Sequence, residues 1–270
     1  MFSSRRSALV IVIACLVAAL GASALAQTDA RVTELMDRMA AGLNGGHPMH
    51  MVLDVQVLVN GAPQPQQPVQ ELWARDMEHF RAEVGGGTVV TFTPEGVKVY
   101  VGSANVMLHI PAETLKQLGK DRAKALQAVG IGEPQPMVQA MLDSRDSLSI
   151  VNEDAIGGEE CWLLAVSPDA YPTWKDAFPG LPKESVVQGV EIALGKESGA
   201  FRMLHIQTIN PVGIEIYVTV TELEQIEEVT DEMLTYEPPA DATIIEWTAD
   251  KTTDQVAKEF QAAVQPGGGR

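Results

Sequence analysis

The sequence predicts a mainly β protein, built as one large, twisted antiparallel sheet with a few helices packed on one of its faces. About ten short segments carry strand signals, and turns containing Gly or Pro separate them. Helical and strand segments follow one another in the order helix, strands, helices, strands, helix, which fits helices gathered on one side of a sheet. The sequence has no internal repeat and no linker-like stretch, so we expect residues 27–264 to form a single domain. A sheet with this many strands is expected to curl.

The first helix is predicted over residues 28–43, because apolar side chains recur there at helical spacing at positions 32, 35, 36, 39 and 43. Gly45-Gly46 is expected to end it. The stretch MHMVLDVQVLVN (49–60) then predicts a strand with apolar residues on both faces, and therefore with cover on both sides.

Four or five short strands follow, at a spacing typical of an antiparallel meander. After the Pro-rich turn GAPQPQQP comes LWARDMEHFRAEV (72–84), which has no Gly or Pro and is typical neither of a buried core strand nor of an amphipathic helix, although an Arg stands between a Trp and a Phe at strand spacing. TVVTFT, VKVYVG and NVMLHIP complete the group.

The middle of the chain is predicted to be helical. One helix is expected from 112 to 129 and a shorter one from 136 to 144, with Pro136 in its first turn. The apolar face of the shorter helix is formed by Met137, Val138, Met141 and Leu142.

Strand signals dominate again in the last part of the chain. SLSIVNED and CWLLAVS are joined through Gly157-Gly158, VVQGVEIALG and FRMLHIQTIN form a hairpin, and IEIYVTVTELEQ alternates cleanly. Residues 169–183 are expected to be an irregular loop and 252–264 a last helix. Residues 265–270 are expected to be a disordered tail.

The first 26 residues are typical of a secretory signal peptide. Arg5 and Arg6 precede an apolar run of 13 residues, shorter than the ~20 of a membrane span, and Ala24-Leu25-Ala26 offers a cleavage site. Cleavage near Ala26 would give a periplasmic or secreted protein. Two alternatives stay open, namely an uncleaved N-terminal anchor and lipid attachment at Cys15.

Charge and cysteine content narrow the function classes. The chain has 19 Lys and Arg against 36 Asp and Glu, a formal net charge of −17, which argues against nucleic-acid binding and against adhesion to anionic lipid surfaces. It leaves room for a lipid held inside an apolar cavity. Only Cys161 lies beyond the signal peptide, so no intrachain disulfide can form after cleavage, and we expect a buried, unreactive thiol.

The sequence carries no catalytic motif that we can identify, and we expect neither an enzyme nor a cofactor. His47 and His50, in HPMHM, are the sharpest metal candidates, because imidazole and thioether ligands suit Cu(I). We favour the alternative that a strand simply begins there. The pairs Glu159-Glu160 and Glu227-Glu228 are expected to be solvated charge, since neighbouring side chains on a strand point to opposite faces.

Several segments resemble the periplasmic outer-membrane lipoprotein carriers of the LolA-like, lipoprotein-sorting superfamily. Leu72, Trp73, Arg75 and Phe80 lie close to that family's Leu-Trp-x-x-Arg-Pro-x-x-Phe strand, although Asp76 replaces the Pro and Phe80 comes one position late. TVVTFTPEGVKVYV, PMVQAMLDSRDSLSIV and LTYEPPADATIIEW are similar to later family segments. The resemblance covers most of residues 28–247.

The resemblance implies a curled, incomplete antiparallel β-barrel with helices covering its concave face. It implies that Arg75 sits at the mouth of an apolar groove, where it bonds carbonyls of a lid formed by helices 112–129 and 136–144, or bonds a lipid head group. The groove and lid residues expected from it are Leu72, Trp73, Arg75, Phe80, Phe92, Tyr100, Met137, Met141 and Leu142.

Two function hypotheses follow. The first is a non-enzymatic periplasmic carrier or binder of lipid or lipoprotein acyl chains. The second is an envelope interaction or stress-sensor module with the same fold, whose groove is filled by its own side chains and whose acidic outer surface binds a protein. An empty apolar groove would favour the first and a filled one the second.

Overall fold

A computed structural model describes residues 30–44, 47–64, 69–76, 78–85, 87–129, 135–178, 181–182, 184–209 and 212–264. The expected signal peptide, Cys15, the Gly45-Gly46 helix end and the expected tail lie outside these residues. The expected single domain over 27–264 stays a prediction.

Thirteen strands form one sheet in this part of the chain. They are β1 Met49–Val59, β2 Ala62–Pro63, β3 Gln70–Ala74, β4 Phe80–Val84, β5 Thr88–Thr93, β6 Gly96–Val101, β7 Val106–Pro111, β8 Leu148–Ile156, β9 Glu159–Val166, β10 Val186–Gly195, β11 Phe201–Ile209, β12 Ile214–Gln225 and β13 Thr243–Glu246. Their order is β13-β7-β6-β5-β4-β3-β1-β12-β11-β10-β9-β8, with β2 beside β1. All pairs are antiparallel except β13 with β7. The sheet is not closed, and the predicted mainly β, incomplete antiparallel barrel is confirmed.

Seven α-helices accompany the sheet among the described residues. They are α1 Ala30–Asn44, α2 Ala112–Leu118, α3 Arg122–Ala128, α4 Gln135–Asp143, α5 Tyr171–Ala177, α6 Asp231–Leu234 and α7 Thr253–Val264. All but the single-turn α6 pack on one face, called here the helix-covered face. The opposite face is called the outer face.

Three sequence predictions need correction, the first at LWARDMEHFRAEV. This stretch is two strands, β3 and β4, joined by a tight turn. The Asp76 side chain accepts hydrogen bonds from the backbone N–H groups of Glu78 and His79, both at 2.8 Å, and so builds the turn without Gly or Pro.

The second correction concerns the predicted helix 112–129. It is divided into α2 and α3 by a short 3-10 turn, because Gly119 adopts φ +50°, which an α-helix does not accommodate. The third concerns residues 169–183, expected to be irregular. They contain α5, since Pro172 lies in the first helical turn, where its missing N–H costs nothing. Trp174 of α5 is fully buried and its indole N–H donates to Ser144 Oγ at 2.8 Å.

Candidate functional site

The helix-covered face holds two separate hydrophobic clusters. Cluster 1 lies under α2, α3 and α7, and cluster 2 lies under α1, α4 and α5. Cluster 1 includes Phe80, Phe92, Val97, Leu108, Ile110, Leu115, Leu126, Trp247, Val256 and Phe260. Cluster 2 includes Val32, Leu35, Met36, Met39, Met141, Leu164, Trp174, Ile192, Leu194, Leu204 and Ile206. Both clusters are closed by the protein's own side chains.

Between the clusters, the central strands β1 and β12 present a row of half-buried apolar side chains. This row, called here the central strip, consists of Leu53, Val55, Val57, Ile214 and Ile216. Val57 pairs directly with Ile216, and the strand register places all five on the helix-covered face. None of the five belongs to either cluster. The strip is therefore apolar surface on this face that lies outside both clusters.

Three of the expected groove residues lie together in cluster 1. Leu72 is half-buried against the cluster, whereas Phe80 and Phe92 are buried in it. The two phenyl rings are paired in register across β4 and β5 and stack with centroids 4.5 Å apart.

The three expected lid residues lie in the other cluster. Met141 is buried in cluster 2, and Met137 and Leu142 pack half-buried against it. The helices expected to form one lid are therefore divided, since α2 and α3 cover cluster 1 and α4 covers cluster 2.

Trp73 and Tyr100 project from the outer face, and not towards the expected groove. Strand alternation decides this, because Trp73 follows the inward-facing Leu72 directly. The Trp73 ring stacks on His50 at 5.1 Å, and the Arg81 guanidinium lies 5.9 Å from its centroid. Tyr100 contacts Tyr236 with ring centroids 5.1 Å apart. The sequence alone did not show which of the alternating side chains of these strands point towards the helix-covered face.

Arg75 bonds neither of the expected lid helices. Its Nε and Nη2 donate to the carbonyl oxygen of Val229 at 3.0 and 2.9 Å, and Nη2 also lies 2.6 Å from Asp231 Oδ1. These partners belong to residues 226–242, called here the strap, which link β12 to β13 across the outer face. Val229 and Leu234 are fully buried anchors of the strap, and Arg81 donates to the carbonyl oxygen of Thr235 at 3.0 Å.

The outer face also carries an open cleft of about 480 Å³. Its lining combines valines, carboxylates and the turn between β4 and β5. The lining residues are Val52, Val69, Glu71, Glu83, Val84, Gly85, Gly87, Thr88, Val89 and Glu222. A second cleft of about 300 Å³ shares Glu83 and is lined by Trp73, Arg81 and Met233. The sequence did not predict either cleft, because the turn between β3 and β4 decides that the Glu71 and Glu83 side chains point to the same face and lie side by side.

Glu159 is half-buried and paired, which corrects the expectation of solvated charge for this residue. Burial alone would raise the pKa of Glu159, but hydrogen bonds from Ser198 and Arg202 outweigh it and hold the pKa below its ordinary value. The neighbouring Glu160 is exposed and lies 3.3 Å from Lys196 Nζ. The Cys161 thiol is fully buried, and this burial raises its pKa, as expected for an unreactive cysteine.

Neither candidate metal ligand belongs to a metal-binding group within the described part of the chain. No cluster of three or more His, Cys, Asp or Glu suited to a metal occurs there. His47 is exposed, whereas His50 stacks on Trp73 and lies 3.3 Å from Glu71. The same residues include no helix with the length and apolar character of a membrane span.

Comparison with known proteins gives similarity in structure only. No protein-family model matches the chain, and no curated protein matches its sequence. A solved structure of an uncharacterized conserved protein from Thermus thermophilus is 13% identical, with a TM-score of 0.46 over 80% of this chain and 98% of the other. A MucA/MucB complex structure from Pseudomonas aeruginosa is 14% identical, with a TM-score of 0.42 over 79% of this chain and 63% of the matched chain.

A LolA superfamily protein from Nitrosomonas europaea also matches, at 7% identity and a TM-score of 0.35 over 76% of this chain and 97% of the other. Identities and TM-scores this low transfer no ligand, partner or residue role. The solved structures to which this chain is similar thus include a member of the superfamily that its sequence resembles.

Proposed function

We propose that the protein binds an acyl chain of a lipid or lipoprotein on its helix-covered face, along the central strip, without chemical change to the ligand. The observation that carries this proposal is the row of half-buried apolar side chains that pack in neither cluster. Water in contact with such a row is released when an alkyl chain covers it. The signal-peptide pattern of the N-terminal sequence supports a location outside the cytoplasm, in the periplasm of a bacterial envelope.

The flanking clusters supply the walls of the proposed site. An acyl chain lying along Val55 and Val57 would have cluster 1 on one side and cluster 2 on the other. Each methylene that it buries contributes about 0.8 kcal/mol, so about eight methylenes give roughly 6 kcal/mol before the cost of association. Leu72, Phe80 and Phe92 on one side, and Met137, Met141 and Leu142 on the other, would contact a longer chain only if the helices above them moved.

Native mass spectrometry tests the proposal. The protein is secreted into a bacterial periplasm, purified without detergent, and weighed before and after organic extraction. We expect an extractable adduct of lipid mass, and added lysophospholipid or lipopeptide should restore it. A clean apo mass that these amphiphiles do not change would refute acyl binding.

A matched pair of variants tests whether the lipid adduct is bound at the central strip. Val57→Thr keeps shape and strand propensity but places a hydroxyl in the strip, and we expect it to lower adduct occupancy several-fold. Val52→Thr makes the same change on the outer face of the same strand and should leave occupancy unchanged. Equal loss in both variants would place the ligand elsewhere.

A second proposed function is an envelope interaction module that binds a protein and holds no lipid. The observation that favours it is that both halves of the helix-covered face are filled by the protein's own side chains. A lipid-free mass together with a defined protein complex would support this function over the first.

A further inference from the structure

We propose that the 480 Å³ cleft on the outer face binds an extended protein segment with two basic side chains four residues apart and an apolar side chain midway between them. This inference rests on the second proposed function and names its surface and partner chemistry. It does not depend on acyl binding, because the cleft and the central strip lie on opposite faces of the sheet.

The cleft has an apolar floor, in which Val52 and Val69 belong to no hydrophobic cluster of the described core and Val89 belongs to a small outer-face cluster. Val52 is half-buried, Val69 is 52% exposed, and both line the cleft together with the buried Val89. An exposed valine beside a cleft of this size is a contact surface for an apolar side chain.

Carboxylates stand on both sides of Val52, in one row across the strands. The register runs from Glu222 on β12 through Val52 on β1 to Glu71 on β3 and Glu83 on β4. Glu71 and Glu83 face each other directly, and like charges in that position destabilise a sheet unless a cation joins them. His50 and Arg81 each approach one of the pair, yet the two carboxylates keep 45% and 38% of their side-chain surface in solvent. A further cation therefore has access to them.

The spacing of the row selects the ligand. Neighbouring strands lie about 4.8 Å apart, so the Cα atom of Glu222 is expected about 10 Å from that of Glu71 and about 14 Å from that of Glu83. Residues i and i+4 of an extended segment are separated by about 13 Å, and residue i+2 points to the same side. Two basic residues at i and i+4 would then meet Glu222 and the Glu71–Glu83 pair, while an apolar residue at i+2 would rest on Val52. These distances are too long for one small cation to bridge all three carboxylates.

The test is an NMR titration of the isotope-labelled protein with three capped pentapeptides. The probe is Lys-Ala-Val-Ala-Lys, the charge control is Glu-Ala-Val-Ala-Glu, and the spacing control is Lys-Lys-Ala-Val-Ala, which has the same composition. We expect amide shifts concentrated at Val52, Glu71, Glu83 and Glu222 with the probe, and binding of the spacing control weaker by about threefold or more. Equal binding of the two lysine peptides, shifts spread over the acidic surface, or no shifts would overturn the proposal.

Two double variants complete the test. Glu71→Gln with Glu83→Gln should weaken binding of the probe by about threefold to tenfold. Glu34→Gln with Glu259→Gln removes the same charge from two helical residues that are also ion-paired, and should leave binding unchanged. If the first variant does not fold, the spacing control in the unmodified protein still decides. A protein partner that binds normally to the Glu71→Gln, Glu83→Gln variant would overturn the cleft proposal and leave the interaction-module function standing.

Discussion

Replacement of Arg75 by Leu is expected to release the strap from the outer face while leaving the helices of the helix-covered face in place. Arg75 donates twice to the carbonyl oxygen of Val229, which belongs to a residue only 1% exposed. Hydrogen bonds from a charged donor contribute about 1.5–3 kcal/mol, and the carbonyl oxygen loses two donors in this variant. Asp231 is 80% exposed, so its ion pair adds less than about 1 kcal/mol. Because the Arg75 side chain itself is 35% exposed, we expect a total near 2 kcal/mol.

Hydrogen exchange measured by mass spectrometry checks this expectation. A loss of about 2 kcal/mol corresponds to roughly 30-fold faster exchange of strap amides that open locally, at residues 229–236. Amides of α4 and of α2 should keep their protection. Asp231→Asn, which removes only the exposed charge, is the control and should change strap exchange by less than about fivefold. Unchanged strap protection, or loss of protection centred on α2 and α4, would refute the strap role and restore a lid role for Arg75.

Two further predictions concern stability. Gly119→Ala should lower the unfolding free energy by about 1 kcal/mol, because an alanine is strained at φ +50°. Gly42→Ala in α1 has open space around the new methyl group and should raise the unfolding free energy by about 0.5–1 kcal/mol. Urea midpoints of the two variants that move in the same direction would contradict this. Stabilisation by the Glu159–Arg202 pair should be complete above the ordinary pKa of 4.5 and be lost as pH falls through the lower folded pKa. The cost of Arg202→Met should therefore be largest at pH 7 and shrink as the pH falls below 4.5. A pH-independent cost of Arg202→Met would show that the pair acts through packing alone.

Most of the sheet could be predicted from the sequence, because all of its strands except β2 and β13 are five to twelve residues long, and many of them alternate or are continuously apolar. The sequence predictions were wrong where a side-chain hydrogen bond built a turn without Gly or Pro, and where a proline lay in the first turn of a helix. At β3–β4 the Asp76 carboxylate builds the turn, so neither Gly nor Pro marks it. At α5, Pro172 lies in the first turn of a helix, within the stretch 169–183 that the sequence predicts to be irregular.

The candidate site was less predictable than the fold, for a geometric reason. Successive side chains of a strand point to opposite faces of the sheet. When a turn is not recognised, the sequence therefore does not tell which residues of the adjoining strands point towards the core. Trp73 was expected inside and lies outside, while Leu72, one residue earlier, lies inside. Which helices cover which strands depends on contacts far apart in sequence, and thus Met141 and Phe92 were expected together but lie in different clusters. The central strip did leave a signal, namely that β1 is apolar on both faces.

Because β1 is apolar on both faces, the proposed acyl binding and the proposed peptide binding can be separated by experiment. Val52 and Val57 lie on one strand, but Val52 lines the outer cleft and Val57 belongs to the central strip. A ligand on one face cannot displace a ligand on the other by contact, because the full thickness of the sheet lies between them. Any competition between a lysine-containing segment and an acyl chain would therefore require the sheet itself to change shape. If Val57→Thr weakens only lipid retention and Val52→Thr weakens only peptide binding, the two faces act independently. If Val57→Thr also weakens peptide binding while Val52→Thr leaves lipid retention unchanged, a change at the central strip is transmitted through the sheet to the cleft.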